Sequence, residues 1–149
     1  MPEHFSKHGI RFTYPENWEL AEEPVGEGQT VSVTSRGGAF WWLSIYPVGR
    51  NVAEIARAML EGLRAEHQGA DIEPVVEVFE GQEMVGYDIN FVCLDLINTA
   101  IIRGFQTTQA SYVMLWQAED HEFEQVRPVF QAITKSLIDT AAEFATQAS

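Results

Sequence analysis

The sequence predicts an α+β fold, an antiparallel β-sheet with a long meander flanked by two main helices. Residues 82–119 hold three consecutive runs rich in Val, Ile, Tyr, Phe and Trp, at 83–94, 97–108 and 111–118, separated only by short turns. One segment before the meander and one after it carry apolar residues at three- and four-residue steps, as amphipathic helices do. Ahead of the first helix lie shorter alternating runs joined by turns rich in Gly and Pro.

In residues 9–14, Ile10, Phe12 and Tyr14 share one face, the pattern of a half-buried strand. Pro15-Glu16-Asn17 turns the chain, and residues 18–20 form a short extended piece with Trp18 and Leu20 on one side. Residues 22–28, acidic and holding Pro24, Gly26 and Gly28, read as a loop. Residues 30–35 form a strand with Val31 and Val33 inward, and Arg36-Gly37-Gly38 supplies a hairpin turn. In residues 39–48, Phe40, Trp42 and Tyr46 face one way and Trp41, Leu43 and Ile45 the other. Such a strand is sandwiched or partly exposed at a contact surface. One of Trp41 and Trp42 enters the core; the other is covered by a helix or marks a partner or dimer contact.

Asn51 opens the first helix in an N-cap arrangement with Glu54. Val52, Ile55, Ala56, Met59, Leu60 and Leu63 form its apolar stripe, and Gly69 ends it. Residues 75–79 are a strand, and Glu80-Gly81-Gln82 turns into the meander. After the meander, Pro128 disfavours a helix interior. A short helical turn over 121–125 is therefore expected, then the main helix with Pro128 in its first turn and Phe130, Ile133, Leu137, Ala141 and Phe144 inward. Residues 1–149 read as one domain.

A two-residue turn at Asp95-Leu96 puts Asp88 opposite Arg103, and one at Gln109-Ala110 puts Arg103 opposite Trp116. These registers align Asp88, Arg103 and Trp116 across one sheet face, with an ion pair and a cation–π contact. They also put Gly86 opposite Phe105. Val85, Tyr87, Ile89, Phe91, Ala100, Ile102, Val113 and Leu115 take the other face, which is core. The row is either a recognition patch on the less covered face or an ordinary ion pair worth about 1 kcal/mol or less.

The formal net charge is −13, from 22 acidic and 9 basic residues. That balance opposes contact with nucleic acid or an anionic membrane surface and favours a basic partner. The longest apolar run, 91–102, is broken by Asp95 and Asn98, so no membrane insertion is expected. Residues 1–8 do not read as a secretory signal, and Cys93, the lone cysteine, excludes an internal disulfide. The expected compartment is cytoplasmic.

No phosphate-binding glycine loop, nucleophile elbow, zinc-protease motif or Cys-x-x-Cys occurs. His4 and His8 lie in a terminal tail without a third ligand, and Cys93 sits in an apolar strand. Glu22-Glu23 and Glu119-Asp120 read as solvated acids. No catalytic residue, metal or cofactor is expected.

The opening Gly9-Ile10-Arg11-Phe12-Thr13-Tyr14-Pro15-Glu16-Asn17-Trp18 resembles the strand and "YP…W" turn that begin members of the PsbP-like superfamily. Tyr112-Val113-Met114-Leu115 and Phe130-Gln131-Ala132-Ile133-Thr134-Lys135-Ser136-Leu137 resemble the family's last strand and closing helix. The superfamily includes the photosystem II protein PsbP, a Ran-binding nuclear import factor and bacterial chaperones of type VI secretion effectors. The resemblance implies an α/β/α sandwich and a binding role, and it transfers no catalytic residues. The resulting expectation is a non-catalytic protein-interaction or chaperone-like module. Its partner, basic or apolar, meets Trp41, Trp42, Asp88, Arg103 or Trp116, and the chaperone version is a homodimer. The alternative is a small-ligand-binding domain with a pocket between sheet and helix.

Overall fold

The computed structural model describes residues 2–148, and the side chains of residues 2–141. In chain order the elements are β1 Pro2–Lys7, β2 Ile10–Pro15, β3 Glu19–Val25, β4 Gly28–Thr34, β5 Phe40–Pro47, α1 Val52–Glu66, β6 Asp71–Phe79, β7 Gln82–Cys93, β8 Leu96–Gln106, β9 Ala110–Glu119 and α2 Asp120–Ala148. Strands β3 to β9 form one antiparallel sheet in the order β3-β4-β5-β9-β8-β7-β6. β1 and β2 form a separate hairpin.

Each sheet face has its own core. On one face α1 lays Ile55, Ala56 and Leu60 against Ile89, Ala100, Ile102 and Val113. On the other, α2 and the β1–β2 hairpin cover Val31, Val33, Trp41, Leu43, Met114 and Trp116. The α/β/α layering follows from the two amphipathic helices, because strands β5, β8 and β9 present apolar side chains on both faces and need a cover on each.

Most expected strands are present, with adjustments. The N-terminal tail is β1, whose Phe5 stacks on Phe12 with centroids 5.0 Å apart. The acidic stretch expected as a loop is edge strand β3, which pairs in full with β4. β6 starts at Asp71, earlier than expected, and carries Pro74. Proline is tolerated there because β6 is the other sheet edge. Asn51 caps α1 by accepting from the Glu54 backbone N–H at 3.2 Å.

Pro128 does not break the second helix, which runs continuously through it. This corrects the expected interruption. Phe123 on the N-terminal side and Phe130 on the C-terminal side are both buried, with ring centroids 5.8 Å apart. Burying a Phe is worth about 1.5–3 kcal/mol, comparable to the cost of about 3 kcal/mol of an interior proline. Phe144, expected in the inward stripe, lies outside the described side chains.

Both meander registers differ from expectation by two residues. The β7–β8 turn is Leu94-Asp95, both at positive φ (52° and 63°), so Cys93 pairs with Leu96, Asp88 with Ile101 and Gly86 with Arg103. On β9, Trp116 faces Ile101 and Met114 faces Arg103. A slip of two leaves every side chain on its own face, so the expected facial sorting survives. The face expected to be core is core, under α1, but the other face is not the open one. The face carrying Asp88, Arg103 and Trp116 is the one packed under α2 and the hairpin.

Candidate functional site

Arg103 is 7% exposed and lies among acceptors from three strands. Its Nε–H donates to Glu77 Oε1 on β6 and an Nη2–H to Asp88 Oδ1 on β7, both at 2.8 Å. Nη1 donates to the carbonyls of Ile102 at 2.9 Å and Tyr87 at 3.3 Å. The opposite residue is Gly86, where a Cβ would stand 1.8 Å from the Ile102 carbonyl oxygen. The strands approach so closely here that only glycine fits.

These residues floor a cleft of about 400 Å³ between the sheet and α2. Glu77 and Asp88 are each roughly two-fifths exposed. Each commits one oxygen to Arg103 and leaves the other without a described partner. α2 supplies Arg127 and Gln131, one turn apart, to the same cleft. Arg127 lies over the Phe123 ring, and its nearest carboxylate, on Glu124, is 3.9 Å away. Trp116 lines the β9 side. It is 7% exposed, and its indole N–H is the one buried side-chain polar group among the described residues with no hydrogen-bond partner.

The structure separates the five expected contact residues. Trp41 is completely buried and donates from Nε1 to Thr134 Oγ1 on α2 at 2.9 Å. Trp41 is thus the member of the Trp41–Trp42 pair that enters the core, and Trp116 is buried at the cleft rather than displayed on an open face, which corrects the expected exposure of that face. Trp42 is half-buried on the α1 face, in a shallow groove with Tyr46, Ile55 and Met59. Asp88 and Arg103 do form an ion pair, but diagonally. Trp116 shares their cleft, although Arg103 is not opposite it.

Two further features escaped the sequence. An open apolar groove of about 510 Å³ runs between the end of β2 and α2, past Tyr14, Pro15, Pro128, Val129, Ala132 and Ile133. Its signal was Pro128, which sequence alone read as a helix start. The second is the β7–β8 tip, where Val92, Leu94, Leu96 and Ile97 are 65%, 92%, 50% and 55% exposed. The sequence signal was an apolar run continuing through a turn. Around it stand Asp95, Asp71 opposite Asn90, Glu119 opposite Asn98, and Asp120, which accepts from Thr99 Oγ1. No Lys or Arg occurs from residue 65 to residue 102.

Among the described residues, no group of three or more His, Cys, Asp or Glu side chains could hold a metal ion. None of the described helices is long and apolar enough to cross a membrane.

No family model matches the chain, and no curated protein matches its sequence. Solved structures share its fold. The cyanobacterial PsbP of Synechocystis superposes with a TM-score of 0.62 at 12% identity, covering 91% of this chain and 90% of its own. A Pseudomonas aeruginosa protein of unknown function gives a TM-score of 0.50 at 10% identity, over 91% of this chain and 95% of its own. The chain therefore has a PsbP-like α+β fold. At such identities the likeness concerns the fold alone.

Proposed function

We propose that this PsbP-like chain, taken as one domain over residues 1–149, is a non-catalytic protein-interaction module, chaperone-like in that it holds rather than alters its partner. The β7–β8 tip enters an apolar socket on that partner, and Lys and Arg around the socket meet the acidic collar. One observation carries this reading: Leu94, a bulky apolar residue, is 92% exposed at φ 52°. Both the exposure and the left-handed backbone are unfavourable for leucine in the isolated chain, and a partner that buries the side chain offsets them. The acidic surroundings disfavour an anionic lipid surface as the occupant. A cytoplasmic setting is part of the proposal.

The test compares the wild type with a tip variant, Leu94→Asn with Leu96→Ser, by cross-linked capture from the native host and by sedimentation. The variant is expected to stay folded and to lose a protein that the wild type retains, or to lose a wild-type dimer. Identical recoveries, with both proteins monomeric, overturn the reading. A second reading, a small-ligand-binding domain, is favoured by the polar cleft between the sheet and α2.

A further inference from the structure

We infer that the cleft beneath α2 takes a small zwitterion, an α-amino acid in size and charge. The inference rests on the small-ligand reading above and adds the chemistry of the ligand.

The cleft has two electrically distinct sides. Its floor on β6, β7 and β8 carries Glu77, Asp88 and Arg103, a triad of net charge −1. Arg103 is not the group that meets a ligand. Four of its five N–H donors are spent on Glu77, Asp88 and two backbone carbonyls. Its work is positional: it pins one oxygen of each carboxylate and leaves the other oxygen of each without a described partner, with a deficit of positive charge in the cleft they line. An ammonium group supplies that charge and donates to the carboxylate oxygens that Arg103 leaves unbonded.

The opposite side offers donors. Arg127 has no carboxylate within hydrogen-bond distance, and Gln131 stands one helical turn further along the same wall. Trp116, on β9 at the edge of the same cleft, has an indole N–H that is buried and lacks an acceptor. An unmet buried donor is destabilising, and an incoming acceptor relieves it. A carboxylate accepts from a guanidinium, an amide and an indole N–H alike. A ligand with an ammonium at one end and a carboxylate at the other answers both sides. An amine alone leaves Arg127 and the Trp116 N–H unmet, and a carboxylate alone faces the anionic floor.

The experiment uses the full chain. Thermal shift and calorimetry are run with each of the standard L-amino acids. The tightest binder is then compared with its carboxamide, which keeps only the ammonium, and its N-acetyl form, which keeps only the carboxylate. At least one free amino acid is expected to bind and to shift the Trp116 indole N–H resonance. Each capped form is expected to bind at least about tenfold more weakly, since a hydrogen bond to a charged group is worth about 1.5–3 kcal/mol. Glu77→Gln and Arg127→Gln are each expected to weaken binding by about tenfold at unchanged fold. A capped form that binds as well as its parent overturns the zwitterion while the ligand cleft stands. If no free or capped amino acid binds and the indole resonance stays fixed, both fail.

Discussion

Arg103 Nη2 donates to Asp88 Oδ1 at 2.8 Å although neither residue faces the other across the ladder: Asp88 pairs with Ile101, and Arg103 pairs with Gly86. The contact is diagonal. It exists because the long guanidinium side chain reaches along the strand beside a residue with no side chain of its own. The same reach brings in Glu77 on β6, so one arginine ties three strands at the edge of the sheet. Arg103→Met is expected to cost about 2–3 kcal/mol, near the lower end for broken buried ion pairs because both carboxylates keep part of their hydration. Asp88→Asn, which leaves Glu77 on the guanidinium, is expected to cost about 1 kcal/mol. Urea unfolding midpoints give the order, and equal losses would contradict the placement of Arg103 as the hub.

Gly86 and Gly62 respond in opposite directions to the same substitution. A Cβ at Gly86 would meet the Ile102 carbonyl oxygen at 1.8 Å, a backbone atom that cannot step aside. Gly86→Ala is expected to cost about 3 kcal/mol or more. Gly62 sits in α1, where an added Cβ would have nothing within 4 Å, and Gly62→Ala is expected to stabilise by about 0.5–1 kcal/mol. Thermal unfolding of the two variants decides the matter by the sign of the change.

Replacing Leu94-Asp95 by Asn-Gly is expected to raise stability by about 1 kcal/mol, because these residues accept the two positive φ values of the turn without the strain of Leu and Asp. The same variant is expected to lose partner capture. Greater stability together with undiminished capture would show that the tip serves neither the fold nor a contact.

Glu119 precedes α2 and acts at its start. The backbone N–H of His121 is the main cause holding its carboxyl below the usual range, aided by the His121 side chain 2.7 Å away and the Glu122 backbone N–H. A lowered folded-state pKa means that the stabilisation is complete above the ordinary glutamate range. It is lost as pH falls through the lowered value. A carboxyl NMR titration checks this. In His121→Ala the Glu119 pKa is expected to rise only part of the way, since the leading backbone donor remains. A full return to the ordinary value would assign the effect to the imidazole instead.

The facial sorting of the meander was legible because β side chains alternate with period two. Turns misplaced by one residue shifted both registers by two and moved no side chain across the sheet. Hence Asp88 and Arg103 were expected together and are together. What the alternation could not convey was which face is wet. The face of Asp88, Arg103 and Trp116 read as the open one, yet it is sealed by residues far away in sequence: Thr134 on α2 receives Trp41, and Ser136 Oγ accepts from the Thr13 N–H of the N-terminal hairpin at 3.0 Å. The cleft was illegible for the same reason, since Arg127 and Gln131 join Glu77 and Asp88 only when α2 docks.

Side-chain period and local hydrogen bonding were enough to specify the α+β class, the two amphipathic helices, the N-cap at Asn51 and the sorting of the meander. Long-range packing settled the rest: Pro128 lies within a continuous helix, both Trp41 and Trp116 are core, and a polar cleft and an apolar tip remain. Those outcomes depend on which buried surfaces meet across long stretches of chain, and no local pattern encodes that meeting.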